Sequence, residues 1–242
     1  MPVRVPRCFT LGPDSVFHLF WRGHNREWIL KGPKEKDSYL RYLASSIAKQ
    51  SPSPVRLFSF CLMSNHPHFT GQIDRHAANI IPLSRVFQVA NSLFGRWYNR
   101  LHHRSGKVAE DRFKTLRIQD DRALRNVMLY SDANPVRAGI VKHPRDYGWS
   151  SYRYYAFGER IPHADLLNEH GWYLELGRTS ALRQRAYRRL VDAYLRSVGL
   201  LRDAAMTTGH FIGLADFVAR REDELRTALR ALRQGLASAR PP

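Results

Sequence analysis

Two periods of apolar and polar positions alternate along this 242-residue chain. Ser15-Val-Phe-His-Leu-Phe-Trp-Arg22 is β-branched and aromatic and predicts a first strand. Lys34 to Gln50 puts Tyr39, Leu40, Leu43 and Ile47 on one face, which is a helical period. Val55–Met63 predicts the second strand and His66–Ile73 the third, joined by a Ser64-Asn65 corner. Leu83, Val86, Phe87, Ala90, Leu93, Phe94, Trp97 and Leu101 then recur at helical spacing. Arg85, Gln88, Ser92, Arg96 and Asn99 fall on the opposite side, so this helix is long and amphipathic. Phe113–Ile118 predicts a fourth strand. Asp120 is a cap for a helix running from Asp121 to Asn134, which Pro135 should end before Gly139 turns the chain. Ser180–Val198 and Phe217–Leu236 read as two more helices.

This order predicts an α+β fold, an antiparallel sheet of about four to five strands with helices packed on one face of it. The His66–Ile73 strand should be central or next to central. Phe157-Gly-Glu-Arg-Ile-Pro162 marks a boundary between a domain at 1–158 and an Arg-rich helical extension at 159–242. That extension should either contact the partner or pack back on the first domain. The Pro-containing stretch Met1–Asp14 reads as an irregular lead-in, Ser51–Pro54 as a turn, and Ala237–Pro242 as a loose end.

Charge narrows the partner. The chain has 39 Lys and Arg against 21 Asp and Glu, a formal net of +18, which points to a polyanion such as nucleic acid. Residues 1–158 hold 25 basic and 11 acidic side chains, whereas 159–242 hold 14 and 10, so the partner should sit mainly on the first part. Seven basic residues, Arg96, Arg100, Arg104, Lys107, Arg112, Lys114 and Arg117, lie in one stretch with only two acidic ones. They form a candidate phosphate-gripping surface. Cys8 and Cys61 are too few for a disulfide framework or a thiolate zinc site. With neither an apolar run long enough to span a bilayer nor a leader-like N-terminus, the expected location is cytoplasmic, with no membrane partner.

Candidate chemistry begins at His66 and His68. One residue apart in an extended segment, their imidazoles share a face and make half of a divalent metal site. By itself the pair also fits ordinary strand histidines. His102 and His103 are adjacent, diverge, and are expected to be solvated loop residues. Asn126, Tyr130 and Asn134 recur every four residues and form one stripe of the Asp121–Asn134 helix. If that helix crosses the His-x-His strand, Asn134 supplies an amide oxygen as third ligand and Tyr130 a nucleophile. Two imidazoles and an oxygen with open positions suit Mg²⁺ or Mn²⁺ holding a phosphate oxygen.

Those residues carry a resemblance. Met63-Ser-Asn-His66-Pro-His68-Phe69 resembles the His-hydrophobic-His motif of single-tyrosine HUH transposases. Tyr130-Ser-Asp-Ala-Asn134-Pro-Val-Arg-Ala-Gly139 resembles a block of their REP-associated tyrosine transposase branch, Tyr-Ile-x-x-Asn-Pro-Val-Arg-Ala-Gly. Gly106, Asp111-Arg-Phe-Lys114 and Trp149-Ser-Ser-Tyr-Arg153 match further blocks of that branch. The likeness spans residues 8 to 158 and continues weakly through Tyr173–Gly177 and Gln184–Tyr187. Pro67 and Ser131-Asp132 depart from it, standing where the family has aliphatic or apolar residues; Asp132 would put a negative charge near the DNA unless it faces the protein.

The resemblance implies a ferredoxin-like HUH palm, with Tyr130 as nucleophile and His66, His68 and Asn134 as ligands of Mg²⁺ or Mn²⁺. It implies single-stranded, hairpin-bearing DNA as partner, held by the basic stretch and Arg137. The activity implied is cleavage and rejoining through a 5′-phosphotyrosyl link, by a monomer or homodimer. Two other readings remain at this stage: a nucleic-acid-binding protein on the same scaffold that does not cut, and a metal-dependent phosphodiesterase that uses water.

Overall fold

The computed structural model describes residues 5–50, 53, 55–77, 79–198 and 203–238. Residues 1–4 of the expected lead-in, most of the expected 51–54 turn and the 239–242 end lie outside these residues. The described chain contains β1 (Val16–Phe20), α1 (Pro33–Ala48), β2 (Val55–Leu62), β3 (Pro67–Ile73) and α2 (Ile81–Leu101). It continues through β4 (Lys114–Ile118), α3 (Asp121–Arg137), α4 (Tyr152–Phe157), α5 (Gly171–Leu174), α6 (Ser180–Val198), β5 (Phe211–Ile212) and α7 (Ala215–Ser238).

The sheet order is β2-β3-β1-β4-β5. The pairs within β2, β3, β1 and β4 are antiparallel, and β5 joins β4 in parallel. This is the α+β architecture that the strand and helix periods predict, with β3 next to the central strand. Helices cover both faces rather than one. Phe17, Leu19, Trp21, Phe69 and Ile73 point into an apolar layer against α1 and α2, where Leu43, Val86, Phe87 and Phe94 meet them. The alternate positions of the same strands face α3, as the two-residue period of a strand requires. Leu116 and Ile118 there pack with Leu124, Val127 and Met128, and behind them with Tyr152, Tyr155 and Tyr187 of α4 and α6.

β2 changes face part-way. Its register shifts between Leu57 and Ser59, so Phe58 packs on the α3 side and Phe60 on the α1/α2 side. Downstream of that shift, Ser59 sits opposite Thr70 and their hydroxyls pair at 2.6 Å. The Trp149–Arg153 block closes the outer edge of β2. Leu62 N–H donates to Trp149 O and Ser151 N–H to Phe60 O, both at 2.9 Å. An edge tied down in this way offers no strand for another chain to pair with.

One expectation is corrected. Pro135 does not end α3 at Asn134; the helix runs on to Arg137. Proline removes only its own N–H, and the chain beyond it keeps bonding: Ala138 N–H reaches Asn134 O and Gly139 N–H reaches Val136 O, each at 2.9 Å. Gly139, at φ +67°, then supplies the left-handed turn. Asp120 caps the other end, its Oδ1 accepting from Ala123 N–H at 2.8 Å.

The segment after residue 158 packs back onto this frame. α6 lies against α3 and α4, β5 extends the sheet, and the short turn at Ala204–Met206 reaches the α3 face of β1.

Candidate functional site

The β2–β3 hairpin turns on Ser64-Asn65, with Met63 N–H donating to His66 O at 3.0 Å. A loop after β1 braces the corner: Gly23 N–H donates to Asn65 O and Leu30 N–H to Ser64 O, both at 2.8 Å. This bracing fixes where the first histidine stands. His66 and His68 are neighbours on one face, with ring centroids 4.8 Å apart and planes at 80°. His66 is half-buried and its Nδ1 lies 2.5 Å from Asn65 Oδ1. His68 is buried, and its Nδ1 is 2.9 Å from Nε2 of His18, a residue of β1 on the same face. His18 in turn places Nδ1 2.9 Å from Met206 O. Complete burial pushes the His18 pKa down to about 4, so this ring is neutral at ordinary pH.

α3 crosses this face and brings Tyr130 to the histidines. Its ring centroid is 5.9 Å from that of His68 and 6.4 Å from that of His18, edge-on to both. Because α3 continues past Pro135, Arg137 remains one turn beyond Asn134 and two beyond Tyr130. Its guanidinium lies 4.6 Å from the Tyr130 ring centroid, and its Nη1 donates to Asn134 Oδ1 at 3.2 Å. Two buried donors in this wall, Arg137 Nε and Asn134 Nδ2, find no acceptor among the described residues. Buried donors are normally satisfied, so the wall is built to receive an acceptor such as an anion oxygen or a water.

Tyr130, His66, Asn134 and Arg137 line one open cleft of about 380 Å³ together with Arg22, Arg26, Asn65 and Thr207. Thr207 also borders a second hollow lined by Arg7, Arg112 and Lys114. Lys114 stands opposite Phe20, which stands opposite His68, so all three share the α3 face in one row across the strands.

Of the residues singled out from sequence, His66, His68, Tyr130, Asn134 and Arg137 are thus brought together, with Arg112 and Lys114 close to the cleft. The rest are not. Arg96 and Arg100 are exposed on α2, which packs on the other side of the sheet, and Lys107 opens into a hollow beside Gln88 and Asn91. Arg104 is paired with Glu27. Arg117 is half-buried, and burial together with Arg221 lowers its pKa. His102, read as a loop residue, pairs with Glu35 at 3.1 Å.

Sequence reasoning missed His18, Arg22, Arg26 and Asn65. His18 was legible in principle, as a histidine inside a β-branched, aromatic strand, where an imidazole needs a partner to be buried. Arg22 and Arg26 carried no such mark, because nothing local shows that a loop folds towards a site.

The donor set fits a hard divalent cation only with help. Among the described residues no three His, Cys, Asp or Glu are grouped to hold a metal. Two imidazoles and one amide oxygen would leave several positions for phosphate and water, which Mg²⁺ and Mn²⁺ favour.

The fold, a mostly antiparallel five-stranded sheet with helices on both faces, is similar to one seen among solved proteins. No protein-family model matches the sequence, and no curated protein matches it. Among solved structures, that of a REP-associated tyrosine transposase bound to a REP hairpin is similar, with a TM-score of 0.52 and 15% identity. The likeness covers 70% of this chain and 96% of that one. No helix among the described residues is long and apolar enough to cross a membrane.

Proposed function

We propose that the chain is a DNA strand transferase of the REP-associated tyrosine transposase type, acting on single-stranded DNA that carries a hairpin. The observation that supports it most is the convergence of Tyr130 and His66 on the wall of a cleft lined by three arginines, with His68 buried in ring contact with both. The similar solved structure, a tyrosine transposase holding a REP hairpin, supports the same reading.

In this reading the DNA strand enters the cleft with a phosphate against Arg22, Arg26 and Arg137. The unsatisfied N–H groups of Arg137 and Asn134 donate to its oxygens. Tyr130 loses its phenolic proton, its oxygen bonds to phosphorus, and the 3′ oxygen leaves as a hydroxyl. The 5′-phosphotyrosyl link conserves the bond energy, so a second 3′-hydroxyl reverses the step and rejoins strands. His66, His68 and Asn134 Oδ1 would hold Mg²⁺ or Mn²⁺, which supplies Lewis-acid polarisation of the scissile phosphate. Arg112 and Lys114, reached across Thr207, would grip the flanking backbone.

The test is a labelled DNA hairpin incubated with the protein and Mn²⁺, followed by denaturing electrophoresis. A retained protein–DNA band from wild type, absent with Tyr130→Phe, is the expected result. One observation favours a second reading, binding without cutting: Tyr130 is only 3% exposed, beneath the Arg137 guanidinium. Tight hairpin binding with no band across a panel of hairpins would favour that reading. Cleavage without a band would favour a water-using phosphodiesterase.

A further inference from the structure

We propose that His18, backed by the main-chain carbonyl of Met206, is a positioning residue that holds His68 in one tautomer, with the proton on Nδ1 and the lone pair on Nε2. This rests on the reading of His68 as a metal ligand.

A carbonyl oxygen only accepts, so the 2.9 Å contact with Met206 O requires His18 Nδ1 to carry a hydrogen. Both rings are buried, His18 at 0% and His68 at 1% exposure, which disfavours a cationic ring in either place. A neutral imidazole has one N–H, and His18 has used its own on Met206. His18 Nε2 is therefore an acceptor, and the 2.9 Å contact with His68 Nδ1 is made by a proton on His68. That leaves Nε2 of His68 as its lone-pair nitrogen, the form in which an imidazole binds a divalent cation.

His66 is arranged in parallel, with Nδ1 2.5 Å from the Asn65 amide oxygen. Each histidine of the motif is thus tied through the same nitrogen, one by its sequence neighbour and the other by a strand and a turn remote in sequence. The acceptor that starts the second relay comes from the Ala204–Met206 turn. The C-terminal segment is by this route part of the site, although none of its side chains enters the relay.

The experiment is ¹⁵N-resolved imidazole NMR of the full chain without metal at neutral pH, with Mn²⁺ affinity measured separately by electron paramagnetic resonance. Wild-type His68 is expected to be protonated at Nδ1. His18→Phe should lose that single tautomer and weaken Mn²⁺ binding by about ten- to a hundredfold. His18→Gln, whose amide oxygen offers His68 an acceptor, should restore both. A wild-type His68 protonated at Nε2 overturns the inference, as does a folded His18→Phe protein with unchanged Mn²⁺ affinity. If His18→Phe does not fold, the wild-type spectrum decides. Neither readout involves DNA: the expected tautomer in a protein that forms no covalent DNA band would remove the strand-transfer reading and leave this one standing.

Discussion

Alternate residues of the same strands build the two faces of this sheet; both bury an apolar cluster, but the α3 face also buries polar groups next to a cleft. Phe17, Leu19 and Phe69 point into a layer of aromatic and aliphatic side chains between the sheet and α1/α2. His18, His68 and Thr70, each next to one of those in sequence, point towards α3 and are buried as polar groups. The apolar face has its own polar thread, in which Trp21 Nε1 donates to Tyr39 Oη and Tyr39 Oη to Asn91 Oδ1. That thread ends at the half-buried Asn91, beside the Lys107 hollow, whereas the polar groups opposite end beside the cleft that holds Tyr130 and His66. Burying an imidazole or a carboxylate costs free energy that burying a phenylalanine returns. Both faces therefore contribute apolar burial to the fold, and the α3 face in addition carries the buried imidazoles beside the cleft.

The sharpest break between the faces is chemical. Tyr130→Phe should abolish the covalent DNA band while changing unfolding free energy by no more than about 1 kcal/mol, since one hydroxyl is removed. If the band persists, Tyr130 is not the nucleophile. On the other face Phe87→Ala should do the reverse. Phe87 is fully buried between Phe69 and Phe113, so its truncation should cost about 3–5 kcal/mol in denaturant unfolding. The protein that remains folded should bind Mn²⁺ normally. Lost metal affinity in that folded fraction would mean that the faces are not separable.

Asp132 sharpens the contrast through pH. It is a fully buried residue of α3 that accepts from Tyr187 Oη at 2.6 Å, and desolvation raises its pKa to about 7. The folded state therefore holds a proton that the unfolded chain releases near the ordinary carboxylate value. The stability from this group is complete below about pH 4 and is lost as pH rises towards 7, at about 1.4 kcal/mol per pH unit within that window. Asp132→Asn should flatten this slope in unfolding experiments run from pH 4 to 8, and gain on wild type at the upper end. An unchanged slope would show that Asp132 is not its source.

The smallest effect separates the arginines. Arg26→Ala, in the cleft, should lower the slope of log affinity against log salt for single-stranded DNA by about one. Arg96→Ala, on the outer side of α2, should leave it unchanged. Equal effects would put the DNA on both faces.

Much of the frame was readable one segment at a time. The two-residue period in Val16–Phe20 and the helical period from Leu83 to Leu101 depend on near neighbours, and so does the Asp120 cap. The His66–His68 pairing on one face follows from strand geometry alone. Asp132 was different: its sequence context left open whether it met DNA or the interior, and only the position of Tyr187 on α6 answers that. Pro135 misled because a local rule about helix ends ignores the hydrogen bonds that the following amides still make.

By itself, the sequence determined the four longer strands and the long helices, the basic balance of the chain and the residue types able to perform phosphoryl chemistry, because propensity, periodicity and charge are properties of short stretches. The short α4, α5 and β5 were not legible in it. Tertiary structure alone decided which arginines face the cleft, which histidine supports His68 and that a carbonyl after residue 200 orients it. Those relations join positions 50 to 188 residues apart, and no local pattern encodes the distance between them once the chain has folded.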